Sequence, residues 1–359
     1  MTKNPITREE ILRGLDGFQD PELGRSIVRL DQVQDVQISD GLVKIVLGLT
    51  SFSAPLWPEL REEVRNLLRT QLTPDVDWEV VIREFPRPAE KLGTIGLTAK
   101  YVIAVGSGKG GVGKSTIAAA LALGLDRAGC KVGLLDADVY GPSIPHLLGS
   151  DERPTMYEGK IIPITVGNLR VMSMGFIVPK DEAVIWRGPM LHGAVQQFLR
   201  DTDWGDLDYL VVDMPPGTGD VAISLSQLLP VSGAVVVCTP QELALLDAVK
   251  AITMFRKVHI DVLGIVENMS YFICPNCGTR HDIFSSGGAR KKADELGLPF
   301  LGEVPLNVML RIKGDEGRLV ECLAEENIGP YFDAICKNVV RQIVNQRRGT
   351  PPLPSLSVL

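Results

Sequence analysis

Residues 108 to 116 read Gly-Lys-Gly-Gly-Val-Gly-Lys-Ser-Thr and fit the phosphate-loop pattern G-x-x-x-x-G-K-[ST]. Gly108, Gly110, Gly111 and Gly113 let backbone N–H groups, including that of Val112, converge on phosphate oxygens. The helix that follows, KSTIAAALALGLDRAG with Thr116 in its first turn, adds its dipole. In this pattern Lys114 pairs with the terminal phosphates and Ser115 ligates Mg2+. A Mg-nucleotide site also needs a carboxylate at the end of a neighbouring strand. The run YLVVDMPPGTGD supplies Asp213, followed by a glycine-rich loop suited to sensing a γ-phosphate, and VGLLDAD supplies Asp136 and Asp138. One such aspartate is easily a helix cap. Three at strand ends, in a chain with a phosphate loop, point to a site at the carboxyl edge of a sheet.

The second chemical signal is YFICPNCGTRHDIF, where Cys274 and Cys277 stand two residues apart across Pro-Asn. The spacing lets two thiolates face one soft metal centre. It is half a site, because iron-sulfur clusters and structural zinc ordinarily take four ligands and no second C-x-x-C exists in the chain. A symmetric dimer would complete it with a second pair, giving an intersubunit [4Fe-4S] cluster as the first reading. Zinc with His281 as a third ligand is the second; a redox dithiol and a purely structural turn follow. Cys130, Cys238, Cys322 and Cys336 lie in apolar patterns or at helix ends, where a thiol is a small buried hydrophobe.

These residues need a scaffold, and the chain changes grammar to provide one. Residues 1–85 give a capped helix at TREEILRGLD, a hairpin pattern around SDG, a second helix at PELREEVRNLLRTQL and a strand at WEVVIRE. This is a small α+β domain. A proline-containing linker spans 86–100, and from 101 to 346 short β-branched runs alternate with helices. YVIAVGS, KVGLLDAD, DYLVVDMPPG, GAVVVCTP and DVLGIVENM are continuous apolar strands of the kind buried on both faces of a parallel sheet. The fold class is therefore α/β, a doubly wound, mostly parallel sheet carrying the phosphate loop, preceded by the α+β domain. The tail 347–359, rich in proline and small polar residues, is expected to be disordered.

Composition narrows the partners. The 359 residues are 45% hydrophobic and 23% charged, with a net charge of −7, which argues against general nucleic-acid binding. No segment has the uninterrupted apolar length of a membrane span, and the N-terminus lacks a signal-peptide core, so a cytoplasmic protein is expected. A membrane-cycling ATPase would want a basic amphipathic terminal helix. Phe332, Ile335, Val339 and Ile343 form a helical stripe with few basic neighbours, and this reads as core.

GKGGVGKST resembles the deviant Walker A loop of the family containing nitrogenase iron protein and the Min and Par ATPases. That resemblance implies that Lys109 reaches across a homodimer to the other subunit's phosphates, where it acts as an arginine finger does. It also implies that Asp138 positions or activates the attacking water, that Asp136 and Asp213 act near Mg2+, and that Asn268 reads adenine. LDADVYGPSIPHLLG, WRGPM, VVDMPPGTGD, TPQELALLDAVKAITMF, ENMSYFICPNCG and GLPFLGEVPL are similar to the Mrp/ApbC family of iron-sulfur cluster carrier ATPases over residues 100–345. The family implies a homodimeric ATPase that holds a labile [4Fe-4S] cluster on two C-x-x-C pairs. It would take the cluster from scaffold proteins and pass it to apo iron-sulfur proteins, with no nucleic acid or membrane involved. A membrane- or DNA-associated positioning ATPase and a zinc-stabilised adaptor are the competing readings. Around FSSGGARKKA, Ser285, Ser286 and Ala289 stand where glycines are expected. DPELGRSIVRLDQVQDVQI and LTSFSAPLWPEL resemble the SufT-type assembly domain, with Ala54 in place of a loop cysteine, which implies an adaptor module.

Overall fold

A computed structural model describes residues 6–39, 41–72, 76–139, 141–177, 188–217 and 219–348. The chain divides into two compact units, 1–87 together with 340–359, and 88–339.

In the first unit the helix Arg8–Leu15 starts at Thr7, whose hydroxyl accepts from the Glu10 N–H while the Glu10 carboxylate accepts from the Thr7 N–H. The strands Val33–Ser39 and Leu42–Leu49 form the antiparallel hairpin that their alternation predicts, and Leu42–Leu49 pairs in parallel with Asp77–Glu84. The crossover between the parallel pair is the helix Trp57–Gln71, which buries Leu60, Val64 and Leu68. Buried Asp20 accepts from the N–H groups of Glu22 and Leu23 and from the Gln32 amide, and Arg87 ion-pairs with both Asp20 and Glu22. Ala54 is buried in the short 3-10 turn Ser51–Leu56, beside the equally buried Ser53.

The second unit is a ten-stranded sheet. From one edge it runs Arg280–His281, Val262–Ile273, Gly233–Cys238, Leu97–Gly106, Leu207–Asp213, Val132–Asp136, Leu169–Ser173, Ile164–Val166. Phe300–Leu306 also pairs with Val262–Ile273, and Lys91–Leu92 with Leu97–Gly106. Leu207–Asp213 and Gly233–Cys238, which flank Leu97–Gly106, are parallel to it; the antiparallel pairings involve the short strands Lys91–Leu92, Arg280–His281 and Ile164–Val166. The central strands are buried along their whole length, as continuous Val, Ile and Leu runs require when helices cover both faces. The helix Lys114–Arg127 is buried nearly all round, which explains its alanine-rich sequence: small side chains let it lie close to the sheet.

Two boundaries differ from expectation. The strand of the phosphate loop begins at Leu97, inside the expected linker, because Leu97 and Ala99 are buried and Leu97 pairs with Leu92. The last helix, Gly329–Arg348, extends two residues into the expected tail, and residues 349–359 lie outside the described residues. Phe332, Ile335, Val339 and Ile343 are all buried, as a core stripe should be. Among the described residues no helix is long and apolar enough to cross a membrane.

Candidate functional site

Parallel register sets the phosphate site. Asp213 lies beside Val105 on one side and Asp136 on the other, and Asp136 lies beside Ser173, so the carboxylates form one row at the carboxyl ends of adjacent strands. Here the loop from Gly108 turns into the helix Lys114–Arg127. Gly113 has φ +80, and a Cβ there would sit 2.2 Å from the Asn268 amide nitrogen, so only glycine closes the loop against that side chain.

The Lys114 ammonium is buried among the carboxylates. Its Nζ donates to Asp213 Oδ1 at 2.5 Å and to Ser115 Oγ at 3.1 Å, and lies 3.7 Å from Asp138 Oδ2. Asp136 is fully buried, accepting from Ser173 Oγ and from the N–H groups of Asp138 and Ile144. Burial, and then the neighbouring Asp213 charge, push its carboxyl up to about 8. Burial likewise raises Asp213, opposed by Lys114 and Ser115. Asp213 Oδ2 is buried with no hydrogen-bond partner. Two carboxylates, one with an orphaned oxygen, beside a serine hydroxyl make a hard-oxygen donor set that suits Mg2+, so Ser115, Asp136 and Asp213 fit the metal expected of them.

Lys109 does not join this group. It is half-buried, its carbonyl accepts from Ser107 Oγ, and its ammonium makes no ion pair among the described residues. Asn268 does come to the loop: its amide donates to the Val112 carbonyl at 2.9 Å, leaving one N–H and the side-chain oxygen for a base edge. Asn268 and Met269 border a cavity of about 280 Å³ together with Gly113, Thr116, Pro305 and Asn307. Pro305 and Asn307 were missed in the sequence; the strand signal GLPFLGEVPL, which must end at the same carboxyl edge, was the clue. Thr218, in the loop after Asp213, and Trp186 and Arg187 of the WRGPM motif lie outside the described residues.

The cysteine pair closes the hairpin between Val262–Ile273 and Arg280–His281, at one edge of the same sheet. Cys277 is exposed and Cys274 half-buried. Hydrogen bonds from the Thr279 side chain, and then from its backbone, hold the Cys277 thiol below its ordinary range. His281 faces Phe272 across the hairpin, and among the described residues no group of three or more His, Cys, Asp or Glu is placed to hold a metal. The zinc reading with His281 as third ligand therefore has no three-residue set among the described residues. The other four cysteines are buried. Behind the hairpin, the Arg280 guanidinium stacks over the Tyr271 ring and pairs with Asp282, while Ser270 Oγ contacts both Glu267 and Glu303. Where glycines were expected, Ser285 adopts φ +80 and the Ala289 N–H donates to Glu267.

Residues 98–340 match the family model described as NUBPL iron-transfer P-loop NTPase, and residues 8–81 match that of an iron-sulfur cluster assembly protein. The chain is 47% identical to an iron-sulfur cluster carrier protein of Deinococcus radiodurans, covering 86% of this chain and 87% of that one. It is 45% identical to the carrier protein of Escherichia coli K12, covering 88% and 86%. Among solved structures it is similar to a nucleotide-binding protein of Archaeoglobus fulgidus in complex with ADP. That match has TM-score 0.56 and 42% identity, covering 62% of this chain and 88% of that one. The cell division ATPase MinD of Pyrococcus furiosus shares the fold at TM-score 0.51 and 21% identity, covering 67% and 98%.

Proposed function

The chain belongs to the NUBPL iron-transfer P-loop NTPase family, and we propose that it works as a homodimeric, ATP-hydrolysing carrier of a [4Fe-4S] cluster. It receives the cluster from scaffold proteins, holds it on Cys274 and Cys277 of both subunits, and delivers it to apo iron-sulfur proteins in the cytoplasm. The observation that carries this reading is a pair of half-sites in one unit: among the described residues, Cys274 and Cys277 have no third His, Cys, Asp or Glu placed with them to hold a metal, and the Lys109 ammonium makes no ion pair. A second copy supplies what each lacks.

In this reading the N–H groups of residues 110 to 114 and the start of the helix Lys114–Arg127 hold the phosphates, with Thr116 and Asn268 toward the ribose and base. Lys114 would leave Asp213 for the terminal phosphates, and Ser115, Asp136 and Asp213 would hold Mg2+, which would supply charge neutralisation of the phosphates. Asp138, beside the Lys114 ammonium, orients the attacking water. Lys109 of each subunit stabilises charge developing on the partner's nucleotide. Coupling to the cargo runs along Val262–Ile273, the strand that bears Asn268 against the phosphate loop and ends next to Cys274.

Anaerobic reconstitution with iron and sulfide, followed by light scattering and metal counting, tests the proposal. One four-iron cluster per dimer, lost in Cys274→Ser and Cys277→Ser, is expected. A chain that stays monomeric with iron and Mg-ATP both supplied overturns it.

A further inference from the structure

Cys274 to Thr279 close on themselves between the two hairpin strands. The Cys274 N–H donates to the Thr279 carbonyl at 3.0 Å, and the Gly278 N–H donates to the Cys274 carbonyl at 2.8 Å. Gly278 has φ +70, a turn that side chains adopt only under strain, and it folds Thr279 back beneath the second cysteine. Thr279 Oγ1 ends 3.2 Å from Cys277 Sγ. The two thiols are therefore unequal: Cys274 is half-buried at the root of the hairpin, and Cys277 is exposed at its tip with a hydroxyl against its sulfur. In the neutral thiol the S–H donates to the hydroxyl oxygen. A metal ligand is a thiolate, which has no proton to give, so the contact then reverses and the Thr279 O–H donates to sulfur.

We propose that Thr279 is a positioning residue for the cargo, its hydroxyl donating to the Cys277 thiolate and fixing the more exposed of the two ligands toward the iron. This rests on the carrier reading above. Three consequences follow from elementary bonding. A hydrogen bond to sulfur withdraws charge from it, which raises the reduction potential of a cluster. The same withdrawal moves sulfur-to-metal charge-transfer absorption to higher energy. Orientation of the sulfur slows loss of the metal.

The test uses the full chain as wild type, Thr279→Val, which keeps the shape and removes the hydroxyl, and Thr279→Ser, which keeps the hydroxyl. Each is loaded anaerobically, first with cobalt(II) alone and separately with iron and sulfide. Thr279→Val should shift the sulfur-to-cobalt band to longer wavelength, lower the cluster's reduction potential, and lose iron to a chelator roughly fivefold faster. Thr279→Ser should match wild type in all three. A role confined to folding the hairpin would alter metal stoichiometry and leave band and potential in place. If Thr279→Val matches wild type in band position and potential, the proposal is overturned. If wild type binds cobalt through sulfur but never a cluster, the cargo reading falls, while the cobalt band still decides whether Thr279 donates. If wild type gives no sulfur-to-cobalt band, both fall.

Discussion

Lys114→Met removes the ammonium that donates to Asp213. Both members of this pair are almost wholly buried, with side-chain exposures of 6% and 0%, so solvent screening offers little relief. Deleting one partner of such a pair costs roughly 3–5 kcal/mol, because the remaining charge stays desolvated. For a unit of this size each kcal/mol is worth about 2–4 °C, so calorimetry of nucleotide-free protein at pH 8 should show a fall on the order of 10 °C. The deficit must depend on pH in a definite sense. Burial raises the folded-state pKa of Asp213, so its neutral form suits the native state and its charged form does not. Without Lys114 the native chain gains by taking up a proton, so the loss of stability grows as pH rises above the ordinary carboxylate range. Asp213→Asn leaves Lys114 with Asp138 as a remaining partner and should cost less. The double variant Lys114→Met/Asp213→Asn should recover much of the loss. The account is refuted if Lys114→Met unfolds within about 2 °C of wild type, or if the double variant is no more stable than Lys114→Met alone.

Lys109→Ala should leave ATP affinity within about threefold and reduce hydrolysis by at least a hundredfold, since the charge is needed only on the partner's transferred phosphoryl group; filter binding and phosphate release separate the two. In native protein iodoacetamide should label Cys277 first and then Cys274. The thiols of Cys130, Cys238, Cys322 and Cys336 are raised by burial, Cys238 and Cys336 to about 12, and should react only after unfolding, as peptide mass spectrometry can check. Asp136, raised from 3.8 to about 8 in the fold, holds its proton more tightly in the native state. Its contribution is therefore complete below pH 4 and lost as pH rises toward 8, and chemical denaturation of the apo protein should show a falling stability that Asp136→Asn flattens. Ser285→Gly relieves a left-handed backbone and should raise stability by about 0.5–1 kcal/mol; an unchanged or lower unfolding midpoint would mean the Ser285 side chain offsets its strain.

Much of the site was legible because it consists of strand ends. YLVVD and VGLLD each stop at an aspartate, and in a parallel sheet such stops fall in one row, so the neighbourhood of Asp136 and Asp213 followed from pattern alone. Asn268 came instead from the family resemblance, and it lies inside Val262–Ile273, five residues before that strand ends. What pattern could not give was the state of the charges. That Lys114 lies folded onto Asp213 depends on burial and a 2.5 Å contact, neither of which leaves a periodicity. Pro305 and Asn307 escaped because their role depends on which strand pairs with Val262–Ile273, a long-range register with no local signal. The start of the sheet at Leu97 was hidden by a linker composition, and only pairing with Lys91–Leu92 reveals it. Ser285 shows the converse: the expected glycine is missing but the glycine-like backbone is kept, so the geometry there is set by its surroundings and not by the residue.

The strand Val262–Ile273 links the phosphate loop to the cysteine pair within one unit, which is what the proposed coupling needs. The Asn268 amide ties it to the phosphate loop, and Phe300–Leu306 beside it carries Pro305 to the edge of the cavity of about 280 Å³. Five residues after Asn268 the same strand ends at Ile273, and the cysteine loop begins. Between them Met269 has φ +56 and the pairing with Phe300–Leu306 breaks between Asn268 and Phe272. A left-handed residue inside a strand costs about 1–2 kcal/mol, and surrounding contacts must hold it there. The contacts available are the Asn268 amide on one side and the Ser270 hydroxyl with its two glutamates on the other. A ligand that takes the Asn268 amide from the Val112 carbonyl removes one of them. On the carrier reading proposed above, that loss would let the strand move its far end, where the sulfurs are.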